Sequence, residues 1–395
     1  MTTRSTFSAL VLLASAALTT GAQAAAATVA DCSRLPNPVF IAGSSAVKPF
    51  LAEIGKIMAA QVAAVTIVYS GQGSCLGVSS VIQGTTISGA FAYWDGSGTE
   101  QSCTVSTPTV VDIGVSDVFA TTCLTLPGGL PSNVGDFLGP VQTMTFVTPK
   151  ASTQTSISAE AAYFAYGFGA ASGVAPWTDE AQLFQRDDQS GTQRMVATAL
   201  GVDAARWRGV STSSSGDLKT KVSTAVPGEG ALGILSTDVA QENRAILKVL
   251  AYQHFGQMCG YYPDLDETSN EKQNVRDGHY AIWGPLHLLT ILNNSGYPRK
   301  TEAAEIIGFM TGTKAPPLGL DLIALEAARH VVPPCAMRVR RTDEMGPMQS
   351  FAPAQACGCY YEKVANGVTS CTACQTKADC PSGAPLCSYG YCEAN

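Results

Sequence analysis

The stretch Phe184-Gln185-Arg186-Asp187-Asp188-Gln189-Ser190-Gly191-Thr192 runs from apolar residues through a polar, glycine-containing turn into a helix-like segment. The first turn of a helix carries N–H groups without intrahelical partners and a partial positive charge, so such a turn is a ready anion site. Glycine lets the backbone approach a ligand closely, and serine or threonine adds hydroxyl donors. Two further segments repeat the design: Ile41-Ala42-Gly43-Ser44-Ser45-Ala46 and Tyr69-Ser70-Gly71-Gln72-Gly73-Ser74. Helix capping would explain any one of them; three of them, with Arg186 and its neighbouring acids, point to ligand binding. A fourth segment, Val111-Asp112-Ile113-Gly114-Val115-Ser116-Asp117, ends an apolar strand on an acid. A carboxylate beside an anion pocket suits a ligand that keeps a proton. It accepts from a P–OH group but repels a fully ionised oxyanion where water is excluded.

Outward from these turns, apolar runs alternate with helical stretches. Pro38–Ala42, Val65–Tyr69, Val110–Val115 and Val141–Val147 read as strands, and residues from about Ala46 to Gln61 and on to Ile82 after Cys75 read as helices. Strand, turn and helix in repetition predict α/β architecture with a parallel or mixed sheet. No period of about 20–50 residues recurs, which argues against a solenoid.

Together the four segments resemble the phosphate-binding proteins of ABC-type phosphate importers, a family of two-lobed periplasmic binding proteins. The family's opening strand, Gly, small residue and hydroxyl residue match Gly43-Ser44-Ser45, which implies a ligand role for Ser45 and for the backbone N–H of Ala46. Its Tyr-x-Gly-x-Gly-Ser segment matches Tyr69–Ser74 and implies Ser74 as a ligand residue. Its Val-Asp-Phe/Ile-Gly-x-Ser-Asp strand matches Val111–Asp117, with Asp117 as acceptor for the phosphate proton. Its Arg-x-Asp-x-Ser-Gly-Thr loop matches Arg186–Thr192. Arg186 would then bond phosphate with Asp188 orienting it, while Ser190, Gly191 and Thr192 cap the anion. Gly230-Ala231-Leu232-Gly233-Ile234 resembles the family's Gly-Ala-Ile-Gly-Tyr strand, and the likeness extends over about residues 38–330. Ala46 stands where the family can carry an aromatic residue, and Gln189 replaces its usual glycine. An insertion at about residues 92–109 contains Asp95-Gly96-Ser97-Gly98-Thr99, which copies the Asp-x-Ser-Gly-Thr pattern. Tyr93 stands in place of its arginine and no helix-like run follows, so it reads as a surface turn.

The chain has 395 residues, of which 46% are hydrophobic and only 14% charged, with a net charge of −7. That balance excludes an acidic disordered protein and leaves no basic stripe for nucleic acid. Residues 1–24 read as an export signal, with Arg4, an apolar run Phe7–Leu18 and Ala22-Gln23-Ala24 at the cleavage site. Removing it takes one Arg from 24 basic residues and leaves 23 against 31 acids, a mature charge of −8. A periplasmic, extracellular or envelope location makes the 13 cysteines disulfide candidates, with at least one left over. Cys32 follows Asp31, which disfavours lipidation.

Seven cysteines crowd into residues 357–392, and so short a segment needs staples to fold. One Cys-x-x-Cys, Cys371/Cys374, lacks the second knuckle of a zinc ribbon. The proline-punctuated stretch before it reads as a linker and the tail as an independent unit. A hydrolase is the main rival reading. Ser74 and Ser190 lack a Gly-x-Ser-x-Gly elbow, His287 lies in an apolar run, and Gly71-x-Gly73-x-x-x-Gly77 misses the dinucleotide fingerprint by one residue. The expectation is therefore an α/β, two-lobed periplasmic-binding-protein fold (type II-like) over 25–335. Lobe one combines about 32–138 with 250–335, lobe two takes about 147–245, a linker spans 336–354, and a small disulfide-rich C-terminal module spans 355–395. The expected protein is a monomeric, non-enzymatic binder of inorganic phosphate, without metal or cofactor, serving an ABC permease. A scavenging, sensing or adhesion protein is the alternative.

Overall fold

The computed structural model describes Met1, residues 30–315 and residues 319–394; the export signal, beyond Met1, lies outside the described residues. In chain order the strands of the first half are β1 (Ala30–Asp31), β2 (Pro38–Gly43), β3 (Thr66–Ser70), β4 (Ile87–Trp94), β5 (Glu100–Thr109) and β6 (Ile113–Ser116). They continue with β7 (Val134–Pro149), β8 (Ser156–Ser158), β9 (Leu183–Arg186), β10 (Val210–Thr212), β11 (Leu232–Ser236), β12 (Leu247–Val249), β13 (Ala251–Gln253) and β14 (Trp283–Ile291). The helices are α1 (Lys48–Ala59), α2 (Ser74–Ile82), α3 (Ala120–Cys123), α4 (Ala159–Phe168), α5 (Gly191–Leu200) and α6 (Ser215–Ser223). After them come α7 (Thr237–Glu242), α8 (Gln273–Arg276), α9 (Thr301–Met310), α10 (Leu322–Ala328) and α11 (Gly358–Asn366).

Side chains alternate across a strand, and β2 uses both faces. Val39 and Ile41 join Phe50, Leu51 and Ile54 of α1 and Ile306 of α9 in one core, while Phe40 and Ala42 join Val78 and Val81 of α2 in another. A strand buried on both faces reads as a continuous apolar run, which is how Pro38–Ala42 reads. The main sheet follows the order β1-β5-β4-β3-β2-β6-β14-β7-β11-β9-β10, with β12 also on β7. β2 is parallel to β3 and β6, and β9 is parallel to β10 and β11. The long β7 lies antiparallel to β14 from Val134↔Ile291 to Thr143↔Trp283, with a register shift between Pro285 and His287. Beyond that pairing its far end carries β11 and β12. β7 and β14 therefore form the bridge from the first lobe to the second.

The insertion is a hairpin, β4 and β5, on the edge of the first lobe. Its tip is the expected surface turn, with Asp95 accepting from the N–H groups of Ser97 and Thr99. Disulfides join Cys32–Cys103, Cys75–Cys123, Cys335–Cys357, Cys359–Cys371, Cys374–Cys387 and Cys380–Cys392, leaving Cys259 free and exposed. The sulfurs of Cys374, Cys380 and Cys387 cluster within 4.8 Å, but each belongs to a disulfide. No helix among the described residues is long and apolar enough to cross a membrane.

Three boundaries differ from the sequence reading. Leu250, Tyr252, Tyr280, Ile282 and Trp283 pack in the second lobe's core with Phe146 and Leu232, so residues 250–283 belong there and not with lobe one. Apolar burial, not chain order, decides membership. The stretch 336–354 is no free linker. Arg341 is 5% exposed, lies 4.2 Å over the Trp283 ring and donates to the carbonyls of Ala281 and Trp283 at 3.2 Å. The C-terminal module is also not independent. Cys357 and Tyr361 enter the second lobe's core, Tyr361 donates to the Val331 carbonyl at 3.2 Å, and Arg276 bonds Glu362 at 3.1 Å.

Removing a fully buried aromatic ring costs about 3–5 kcal/mol. Tyr361→Ala should therefore lower the urea midpoint of the second lobe, followed through its tryptophans Trp177, Trp207 and Trp283. An unchanged midpoint would mean that the tail folds without support from the domain.

Candidate functional site

Five strands end at one place. The carboxyl ends of β2, β3 and β6 in the first lobe face those of β9 and β11 in the second, the crevice position where open α/β sheets bind ligands. Each strand hands the chain to a short polar turn.

Asp117, just past β6, is 2% exposed. Its Oδ2 accepts from Ser44 Oγ at 2.6 Å and from Ser74 Oγ at 3.3 Å, while its own N–H donates to Ser74 Oγ at 3.1 Å. Its Oδ1 is buried without a hydrogen-bond partner. Burial raises the Asp117 pKa, and the two serine hydroxyls and the Arg186 charge oppose that rise. Tyr69 donates to the Ser44 carbonyl, fixing the turn that carries Ser44. The Ala46 N–H donates to Ser44 Oγ at 3.1 Å.

The second lobe meets this cluster through the turn before α5. Ser190 caps the helix, its Oγ accepting from the Gln193 N–H at 3.5 Å. Gly191 sits so tightly that a Cβ there would lie 2.3 Å from Ser74 Oγ and 2.8 Å from Asp117 Oδ2. Gly73 approaches from the other side at φ +110°, and a Cβ on it would lie 2.6 Å from the Gln189 carbonyl oxygen. That same carbonyl accepts from the Cys75 N–H at 3.1 Å. Glycine at 73 and 191 is a steric requirement of this contact, and through it the two lobes touch.

Arg186 is 4% exposed. Its Nη1 donates to Ser215 Oγ at 2.9 Å and its Nη2 to the Ser213 carbonyl at 3.4 Å, leaving Nε buried without a partner. Burial lowers its pKa, while Asp187 and Asp117 hold its charge. Ser190, Gly191 and Thr192 are all buried at the start of α5.

The structure thus brings Ala46, Ser74, Asp117, Arg186, Ser190, Gly191 and Thr192 to the facing strand ends. One expected role differs, and one contact is new. Ser45 is partly exposed, and its neighbour Ser44 is the serine that bonds Asp117, where Gly43 at φ +142° turns the chain. Asp188 does not orient Arg186. It is exposed and pairs with Arg194 at 3.6 Å, because the turn directs it outward while Asp187 supplies the nearer charge. Ser236, Thr237 and Asp238, at the end of β11, went unread in the sequence. All three are buried, and Ser236 Oγ, Thr237 Oγ1 and Asp238 Oδ1 have no partners. Burial, reinforced by the Asp117 and Glu242 charges, pushes Asp238 up to about 7. The signal was present, since a Ser-Thr-Asp turn after an apolar strand repeats the design of the other turns.

A buried polar group without a partner costs about 1–3 kcal/mol. Asp117 Oδ1 thus remains an unpaired acceptor and Arg186 Nε an unpaired donor.

No protein-family model matches the chain, and no curated protein does. Among solved structures, the chain is similar to a protein from Clostridium perfringens described as a phosphate ABC transporter substrate-binding protein with bound phosphate, at 15% identity and a TM-score of 0.51 over 75% of this chain and 99% of that one. An ABC-type phosphate transport receptor from Vibrio cholerae matches at 16% identity and TM-score 0.48, over 75% of this chain and 100% of that one. The OxyR regulatory domain from Pseudomonas aeruginosa matches at 8% identity and TM-score 0.38, over 72% of this chain and 99% of that one. The chain therefore has the two-lobed α/β fold of the periplasmic binding proteins, extended by a disulfide-rich C-terminal region.

Proposed function

We propose that this protein is an exported solute-binding protein that holds inorganic phosphate between its lobes. The observation that carries the reading is Asp117 Oδ1: a buried carboxylate oxygen without a partner, in a group whose other oxygen meets the first turn of α5 and which the Arg186 charge influences. Ser44 and Ser74 occupy Oδ2 and fix the carboxylate, so Oδ1 is the oxygen available to a ligand. A P–OH group donates to it. The remaining oxygens accept from the N–H groups at the start of α5, from Ser190 and Thr192, and from Arg186. Sulfate carries no proton at neutral pH and would set its oxygen against Oδ1, a repulsion that strengthens as closure expels water.

Selectivity in this reading comes from one acceptor and binding from local dipoles, so a net negative protein does not conflict with an anionic ligand. β7 and β14 are the hinge on which the lobes would part to admit phosphate. Six disulfides suit an oxidising compartment and agree with the export signal at residues 1–24. Delivery to an ABC permease is the role implied by the family resemblance. Catalysis is not part of the proposal, because His287, the histidine nearest to Asp117, is buried and bonds Asp136 at 2.8 Å.

Calorimetry of the mature chain should show tight phosphate binding, partial competition by arsenate and rejection of sulfate; equal binding of phosphate and sulfate would contradict the reading. Asp117→Asn should erase most of the phosphate-over-sulfate preference by replacing an acceptor with a possible donor, and an unchanged preference would remove Asp117 from the discrimination. Arg186→Ala should cost about 2–5 kcal/mol of phosphate affinity, as expected for a buried charge-assisted partner; near-wild-type binding would place the arginine outside the pocket. Gly191→Ala should keep the fold, because alanine favours helices. It should nonetheless weaken phosphate binding by at least about tenfold, since the added methyl meets Ser74 and Asp117 before the lobes close.

A further inference from the structure

Between Asp117 and Cys123 the chain leads from the site into the short helix α3, and three tethers hold it. Asp117 is bound to Ser44 and Ser74. Cys123 is bonded to Cys75, the residue after Ser74. The third tether comes from the far end of the chain: Glu344 Oε2 accepts from the Phe119 N–H at 3.1 Å and from Thr122 Oγ1 at 3.5 Å. Part of Glu344 reaches the surface, but its Oε1 is buried without a partner. Over Gly284 of β14 it converges with the backbone of Asp117: a Cβ on that glycine would lie 3.4 Å from the Asp117 carbonyl oxygen and 4.0 Å from Glu344 Oε1. The strap that delivers Glu344 is itself fixed to the bridge between the lobes, through Arg341 on Ala281 and Trp283.

We propose that Glu344 is a positioning residue for the anion site: its carboxyl anchors the Asp117–Cys123 turn, and its charge adjusts anion affinity. The inference rests on the phosphate-binding reading above and makes the C-terminal strap part of the binding apparatus. The ionisable groups facing Glu344 are few. Arg341 comes from its own strap. His287 comes from β14, with its Nδ1 on Asp136 of β7 at 2.8 Å and its ring edge-on to Phe119 at 4.4 Å between centroids. Asp117, just past β6, meets Glu344 through its backbone carbonyl over Gly284. Burial pushes Glu344 up to about 7, against the Phe119 N–H bond and the charges of His287 and Arg341. Glu344 is accordingly neutral below that pH and ionised above it. Ionisation adds a negative charge behind Asp117, which Asp238 also faces, so anion affinity should fall as pH rises through about 7, beyond any fall due to the titration of the anion and of Asp238.

Phosphate dissociation constants of the full mature chain and of E344Q and E344A, measured by calorimetry from pH 5.5 to 8.5, test this. The titrations of phosphate and of Asp238 are common to all three proteins, so ratios of their constants isolate residue 344. The glutamine keeps an acceptor for Phe119 and loses the charge. Wild type and E344Q should bind alike at pH 5.5, and E344Q should bind about 5–10-fold tighter at pH 8.5, the effect of one charge across a medium of intermediate dielectric. E344A should bind phosphate at least about tenfold more weakly at every pH, with a reduced phosphate-to-sulfate ratio, because the turn loses its anchor. A wild-type-to-E344Q ratio that stays flat with pH overturns the inference, and that comparison decides alone if E344A fails to fold. Wild type that binds phosphate while both variants match it overturns the role of Glu344 only; wild type that binds no phosphate at any pH overturns the underlying function.

Discussion

A carboxylate removed from water has to find its hydrogen bonds within the protein, and Asp117 finds them on only one of its two oxygens. Ser44 and Ser74 saturate Oδ2, and the chain brings the first turn of α5 against that same oxygen. The rest of the site follows from this imbalance. Gly73 and Gly191 are required because any side chain there would separate the two lobes. Tyr69 holds the Ser44 turn from beneath. Arg186, itself desolvated, supplies the compensating charge.

The scaffold that keeps this contact in register is built from distant parts of the chain. β7 and β14 carry the sheet from one lobe to the other, and the strap around Arg341 and Glu344 crosses the same region. Tyr361 and the Cys335–Cys357 disulfide then secure the C-terminal module to the second lobe's core. The cysteine-rich end is thus a brace on the second lobe.

Much of the fold was legible because it is local. A strand buried on both faces announces itself as an apolar run, and the polar turns after β2, β3, β6 and β9 each lead from a strand toward a helix, with a side-chain cap only at Ser190. That Asp117 and Arg186 share one site was implied by the family resemblance alone. The bond of Ser44 to Asp117 went unread, because the positive φ of Gly43 decides which serine points inward and sequence does not display φ. Asp188 was misassigned for a related reason: two adjacent acids follow Arg186, and only the turn geometry separates Asp187, whose charge acts on Arg186, from the exposed Asp188. The prolines of residues 336–354 suggested a linker, yet proline restricts the chain without saying whether it is packed. Glu344 was invisible, since a contact 225 residues away from Phe119 leaves no periodic or spacing signal. Residues 250–283 were placed in the wrong lobe because the strand pairing that assigns them is equally non-local.

The most direct measurement is a crystal structure of the mature chain grown with phosphate. This account requires a phosphate oxygen within about 2.7 Å of Asp117 Oδ1, the length of a charge-assisted O–H···O bond, with the other oxygens on the α5 first turn and Arg186. A bound phosphate elsewhere, with Asp117 Oδ1 out of reach of any of its oxygens, would contradict it.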